Sequence, residues 1–115
     1  MNSAAHPLAL NPGTLQLGGP LGWVDISDPE CTLLKAFALS SNQRITTAVM
    51  LDLVGKAAND LGKRALEVQI VRLRKKLQQA GAAAPTIKAI RGVGYQLCIP
   101  LAVPPAPTFS SPSSE

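Results

Sequence analysis

Leu66, Ile70, Leu73 and Leu77 fall at i, i+4, i+7 and i+11. At about 100° per residue, this spacing gathers four branched apolar side chains into one narrow stripe of an α-helix, and such a stripe must face a core. It predicts a helix from Lys63 to about Ala80. On the opposite side stand Arg64, Val68, Arg72 and Lys75, with Ala65, Gln69, Val71 and Lys76 on the flanks. Long cations interspersed with small apolar and amide side chains suit a major groove, where Arg pairs with guanine, Gln with adenine and Val contacts a thymine methyl. The competing reading is a merely solvated charged face, yet such faces rarely set two valines among their cations.

Charge is concentrated around the same helix. Residues 63–91 carry Lys63, Arg64, Arg72, Arg74, Lys75, Lys76, Lys88 and Arg91 against Glu67 alone, whereas residues 1–62 are net acidic. The formal charge of the whole chain is only +4. Segregation of this kind marks a face for a polyanion, with nucleic acid first and a membrane surface second. RNA ranks below duplex DNA, because one Trp, one Tyr and two Phe in scattered places make no stacking platform.

Other classes are excluded or left without support. The chain has 115 residues, one domain's worth. No apolar run approaches the roughly 18 residues of a membrane span, and the first 30 residues hold no Lys or Arg to begin a signal peptide. The expectation is a soluble cytoplasmic protein with no membrane partner. Cys31 and Cys98 are far apart with no C-x-x-C pair, so two buried free thiols are expected, and a disulfide between them stays open. His6 has no partner Ser, Cys or carboxylate pair, so neither an enzyme, a metal site nor a cofactor is expected.

Along the chain, Leu8–Leu10, Thr14–Leu17 and Trp23–Ile26 read as strands separated by Asn-Pro-Gly and Gly-Gly-Pro turns. Ser27-Asp-Pro-Glu30 forms an S-x-x-E capping box that opens a first helix, whose inner face is Leu33, Leu34, Phe37 and Ala38. A strand at Arg44–Thr46 leads to a second helix over 47–54, with Val49, Met50, Leu53 and Val54 marking one face. Gly55–Gly62 reads as a loop before the basic helix. Thr86–Ile90 and Tyr95–Ile99 flank Arg91-Gly-Val-Gly94 as a hairpin with Arg91 at its tip, where it can enter a minor groove. The R-G-x-G run lacks the Lys-Ser/Thr pair and the following helix of a phosphate-binding loop. Residues 1–7 are expected to be a loose start. Residues 100–115, with five prolines and four serines, are expected to be a disordered tail unable to pair into a sheet.

Together Ile26-Ser27-x-x-Glu30-x-x-Leu33-Leu34, the run RALEVQIVRLRKKL (64–77) and IKAIRGVGYQL (87–97) resemble the winged-helix DNA-binding domain of OmpR/PhoB-type response regulators. The resemblance spans about residues 8–99. It implies an α+β winged helix-turn-helix: an N-terminal antiparallel sheet, three helices and a C-terminal hairpin wing. The third helix lies in the major groove and the wing over the adjacent minor groove. Residue by residue, Arg72 matches the family's base-reading arginine, with Val68 and Gln69 beside it. Arg64, Arg74 and Lys75 match positions that contact phosphates or brace the helix, and Arg91 matches the wing arginine. Lys76 and Lys88 join them as cations of the expected interface. Tyr95 matches a wing tyrosine that packs.

The resemblance further implies double-stranded DNA as partner, acting in transcription regulation, with Gly55–Gly62 as the candidate contact to RNA polymerase. It also implies a monomer in solution that pairs head to tail on direct repeats. Departures are Val71 and Ala89, where the family commonly has arginine and threonine, and Glu67 for aspartate. A receiver domain would need about 100 further residues, so aspartyl phosphorylation within this chain is not expected, whether it is free-standing or a piece of something longer. The rival reading is a winged-helix module that binds another regulator or an acidic protein.

Overall fold

The capping box forms as the sequence predicts: Ser27 N donates to Glu30 Oε1 at 2.7 Å, and Glu30 N donates to Ser27 Oγ at 3.3 Å. Two orphan donors of the helix start are thereby satisfied, and α1 runs Asp28–Leu39. The computed structural model describes residues 8–103. The expected loose start at residues 1–7 and most of the expected tail, 104–115, lie outside them.

Before α1, strands β1 (Leu8–Asn11), β2 (Gln16–Gly19) and β3 (Gly22–Asp25) form an antiparallel meander. After α1, a short 3-10 turn at Ser41–Gln43 leads to β4 (Arg44–Thr46) and then α2 (Thr47–Leu53), capped by the Thr46 hydroxyl, which accepts from Val49 N. Helix α3 (Asp60–Gln79) is followed by β5 (Ile87–Ile90), β6 (Gly94–Leu97) and β7 (Leu101–Ala102). Two sheets result, in the orders β3-β2-β1-β7 and β4-β6-β5. With three helices between them, they make the expected α+β winged helix.

The core lies where α1, α2 and α3 meet the inner faces of both sheets. Leu66, Ile70, Leu73 and Leu77 are buried as one stripe against Leu33, Leu34, Phe37 and Met50 from the helices and Leu10, Leu17 and Leu97 from the sheets. That stripe fixes the rotation of α3 and so decides which of its residues reach solvent.

The structure corrects several expectations. Helix α3 begins three residues early, because Asn59 is its cap: Asn59 Oδ1 accepts from Gly62 N at 2.8 Å. Gly62 lies in the first turn, buried, and a Cβ there would overlap the Ala57 carbonyl. The inner face of α2 is Met50 and Leu51, while Val49 and Leu53 are exposed, since a two-turn helix wedged beside α3 has only a narrow buried side. The hairpin wing is three-stranded, β4 pairing with β6 through Ile45 and Tyr95. Leu101–Ala102, assigned to an unpaired tail, instead forms a strand parallel to β1, with Leu101 beside Leu8. The prolines that argued against pairing flank this short stretch rather than interrupt it. Cys31 is buried as expected, Cys98 is exposed, and both are free thiols. Burial pushes the Cys31 thiol above its ordinary value, with Lys35 lowering it and Asp28 raising it.

Candidate nucleic-acid interface

Since the stripe from Leu66 to Leu77 faces the core, the outward face of α3 follows by helix geometry. Arg64, Val68, Val71 and Lys75 repeat the i, i+4, i+7, i+11 spacing two residues out of step, and all four are exposed. Arg72 is exposed beside them. Val68 and Val71 keep 49% and 51% of their surface open. The centre of this face is thus apolar, with a cation one turn before and one turn after it.

One flank of α3 carries Lys63, Glu67 and Arg74 and faces the wing. Arg74 Nε donates to Ile87 O at 3.0 Å, tying α3 to the first wing strand. Tyr95, half-buried on β6, has its phenol pushed above the usual value, first by burial and then by the negative charge of Glu67, with Arg74 opposing. A cleft of about 450 Å³ separates helix and wing, lined by Thr47, Lys63, Leu66 and Glu67 on one side and Ala89–Tyr95 on the other. Arg91 lines this cleft from the wing turn, so the two basic elements share one side of the molecule.

The other flank is turned into the fold. Lys76 Nζ donates to Asp25 O at 2.7 Å, joining α3 to the end of β3. Gln69 is half-buried, and its Oε1 is enclosed without a hydrogen-bond partner among the described residues.

Of the nine residues singled out by sequence, the structure therefore brings Arg64, Val68, Arg72 and Lys75 onto one exposed side of α3, with Arg91 on the wing side of the neighbouring cleft. Arg74 and Lys76 have backbone partners inside the domain. Lys88 is exposed, but strand alternation puts it on the sheet face opposite Ile87 and Ala89, away from α3. Lys63, outside that set, lines the cleft one helical turn before Glu67, a position that became visible only once the wing was packed beside α3.

Among the described residues no helix is long and apolar enough to cross a membrane, and no group of three His, Cys, Asp or Glu is placed to hold a metal.

Comparison with known proteins finds relatives of this fold. The protein PetR of Rhodobacter capsulatus is 29% identical over 79 residues, which cover 64% of this chain and 33% of that protein. The chain thus spans about a third of the length of that curated relative. The Klebsiella pneumoniae RstA DNA-binding domain, solved in complex with the RstA box, superposes with a TM-score of 0.65 at 26% identity, covering 82% of this chain and 93% of that one. The C-terminal domain of the nisin resistance regulator NsrR, a lantibiotic response regulator, shares the fold with a TM-score of 0.61 at 24% identity, covering 84% and 96%. The family described as "Transcriptional regulatory protein, C terminal" matches residues 22–97, from β3 through the wing, and the chain belongs to this family of winged-helix DNA-binding domains that act in transcription regulation.

Proposed function

We propose that the chain binds a specific duplex DNA sequence with α3 in the major groove and the wing turn over the adjacent minor groove. The observation that carries this reading is that Lys63 of α3 and Arg91 of the wing turn line one cleft, with the exposed stripe of Arg64, Val68, Val71 and Lys75 beside it on α3. Arg72 reads a base, guanine being the natural partner of a bidentate guanidinium. Arg64 and Lys75, a cation at each end of the exposed stripe, meet phosphates, as do Lys63 and Arg91 at the cleft. Arg74 and Lys76 act from behind, holding the helix against the wing and the N-terminal sheet, and Lys88 adds only to the surrounding field.

In this reading the protein is a cytoplasmic non-enzymatic regulator. It is monomeric in solution and pairs head to tail on direct repeats about one helical turn apart, which presents both α3 helices to the same side of the duplex. The segment Gly55–Asn59, exposed throughout, is the surface offered to RNA polymerase.

The test is fluorescence anisotropy with a random-pool duplex and the sequences selected from it, at several salt concentrations. Tight winners well separated from random duplex, with affinity falling steeply as salt rises, are expected. Weak, sequence-blind binding would overturn the reading.

A further inference from the structure

The apolar centre of the outward face is not explained by phosphate contacts or by Arg72. Val68 and Val71 sit one turn apart, each about half exposed, between Arg64 and Lys75. A purely electrostatic face would gain from a polar residue at either position, and neither valine packs into the core.

From this arrangement we infer that Val68 and Val71 form a reader of pyrimidine C5-methyl groups, so that the DNA site contains thymines, or 5-methylcytosines, at two nearby steps opposite the middle of α3. The inference rests on duplex binding through α3 and specifies what that site selects.

Three considerations support it. Cβ atoms at i and i+3 on a helix stand about 5–6 Å apart, which matches one to two base-pair steps at a rise of about 3.4 Å. Two valines in this register therefore meet methyl groups on neighbouring pairs. A β-branched side chain in a helix is held in one rotamer, so little freedom is lost when it is pressed against a methyl. The cations stand one turn to either side, so a helix whose ends are held at phosphates leaves its middle over the base edges, where the thymine methyl is the apolar group on offer in the major groove.

The experiment uses the full chain and its selected duplex. Each thymine is replaced singly by deoxyuridine, which removes the C5-methyl and leaves the pairing edge intact. Separately, each T·A pair is replaced by C·G with and without C5-methylation of the cytosine. Burying one methyl-sized group is expected to be worth about fourfold in affinity. Single deoxyuridines at two nearby positions should each weaken binding about fourfold, and methylating cytosine at the same positions should recover a similar factor. Val68→Ala and Val71→Ala change exposed helical positions to a better helix former, so both should fold. Each should become indifferent to the methyl at one of the two positions.

Equal affinity for thymine and deoxyuridine duplexes at every position, with site selection otherwise intact, would overturn the methyl reader and leave duplex recognition standing. Undiminished methyl sensitivity in both alanine variants would overturn the assignment to these two valines. If no duplex is selected over random sequence, both this inference and the function beneath it fall.

Discussion

Arg74 Nε donates to the carbonyl oxygen of Ile87 at 3.0 Å, so the helix that presents the exposed stripe and the strand that starts the wing are held by one guanidinium. The backbone of β5 then continues to Arg91, so this bond adds to the core packing of Ile87 and Leu97 in setting the spacing of the two basic elements. Arg74→Ala should lose roughly 1–2 kcal/mol of stability, the scale of a charge-assisted hydrogen bond at a half-buried site. Arg74→Lys should recover little of it, because an ammonium cannot reproduce the Nε donor geometry. Urea unfolding of the three proteins checks this, and a lysine variant as stable as the parent would show that only charge matters there.

Arg72 and Lys75 should separate specificity from affinity. Arg72→Ala is expected to remove roughly 1–3 kcal/mol of discrimination between the selected site and a single-base variant of it. Lys75→Ala should weaken binding to every duplex alike and reduce the slope of log affinity against log salt by about 0.9. Anisotropy titrations at three or more salt concentrations measure both quantities on the same samples.

Gly94 opens β6 where it passes β4, and a Cβ there would overlap the Ile45 carbonyl and approach Thr46 Cα and Thr47 N to 2.8 Å. All three are backbone atoms that cannot swing aside. Gly94→Ala should therefore cost at least about 2 kcal/mol, in the range of overpacking within a rigid surround. Gly13→Ala, whose Cβ would meet only Asn11 Oδ1 at 3.4 Å, should stay within about 0.5 kcal/mol of the parent. Thermal midpoints of the two variants should differ by several degrees or more.

Tyr95 should make the domain sensitive to alkali. Its phenol is raised in the folded protein by burial first and Glu67 second, against Arg74. The unfolded chain thus loses this proton at a lower pH than the folded one. The stabilisation linked to it is complete below the ordinary tyrosine value near 10 and is lost as pH rises through the folded value. Tyr95→Phe should flatten the fall in stability above pH 10 while leaving neutral pH little changed. Denaturant midpoints at pH 8 and pH 11 give the answer.

Elements governed by neighbours within one or two turns were legible in the chain itself. The Ser27–Glu30 box, the Leu66-to-Leu77 stripe and the Arg91–Gly94 turn each follow from spacing, and they were enough to orient α3 and place Arg64, Val68, Arg72 and Lys75 outward. Asn59 was misread for a local reason: Asn-Asp before a glycine signals a turn as readily as a helix cap, and Gly62 resembles a helix breaker until its approach to Ala57 is seen. The inner face of α2 was misassigned because seven residues contain too few turns for periodicity to choose between Val49 and Leu51.

Contacts between distant segments were settled only by packing. Lys76 and Asp25 lie 51 residues apart, and the bond between them turns one cation of the basic run into a brace. Arg74 is diverted from the exposed face by Ile87 in the same way, and Leu101 gains a strand partner in Leu8 from the other end of the described chain. A local pattern states which side of a helix is apolar and which is charged. Which of those charges remain free to meet a ligand is decided by what the rest of the chain brings alongside, since a cation near a carbonyl from a distant strand satisfies it in preference to water.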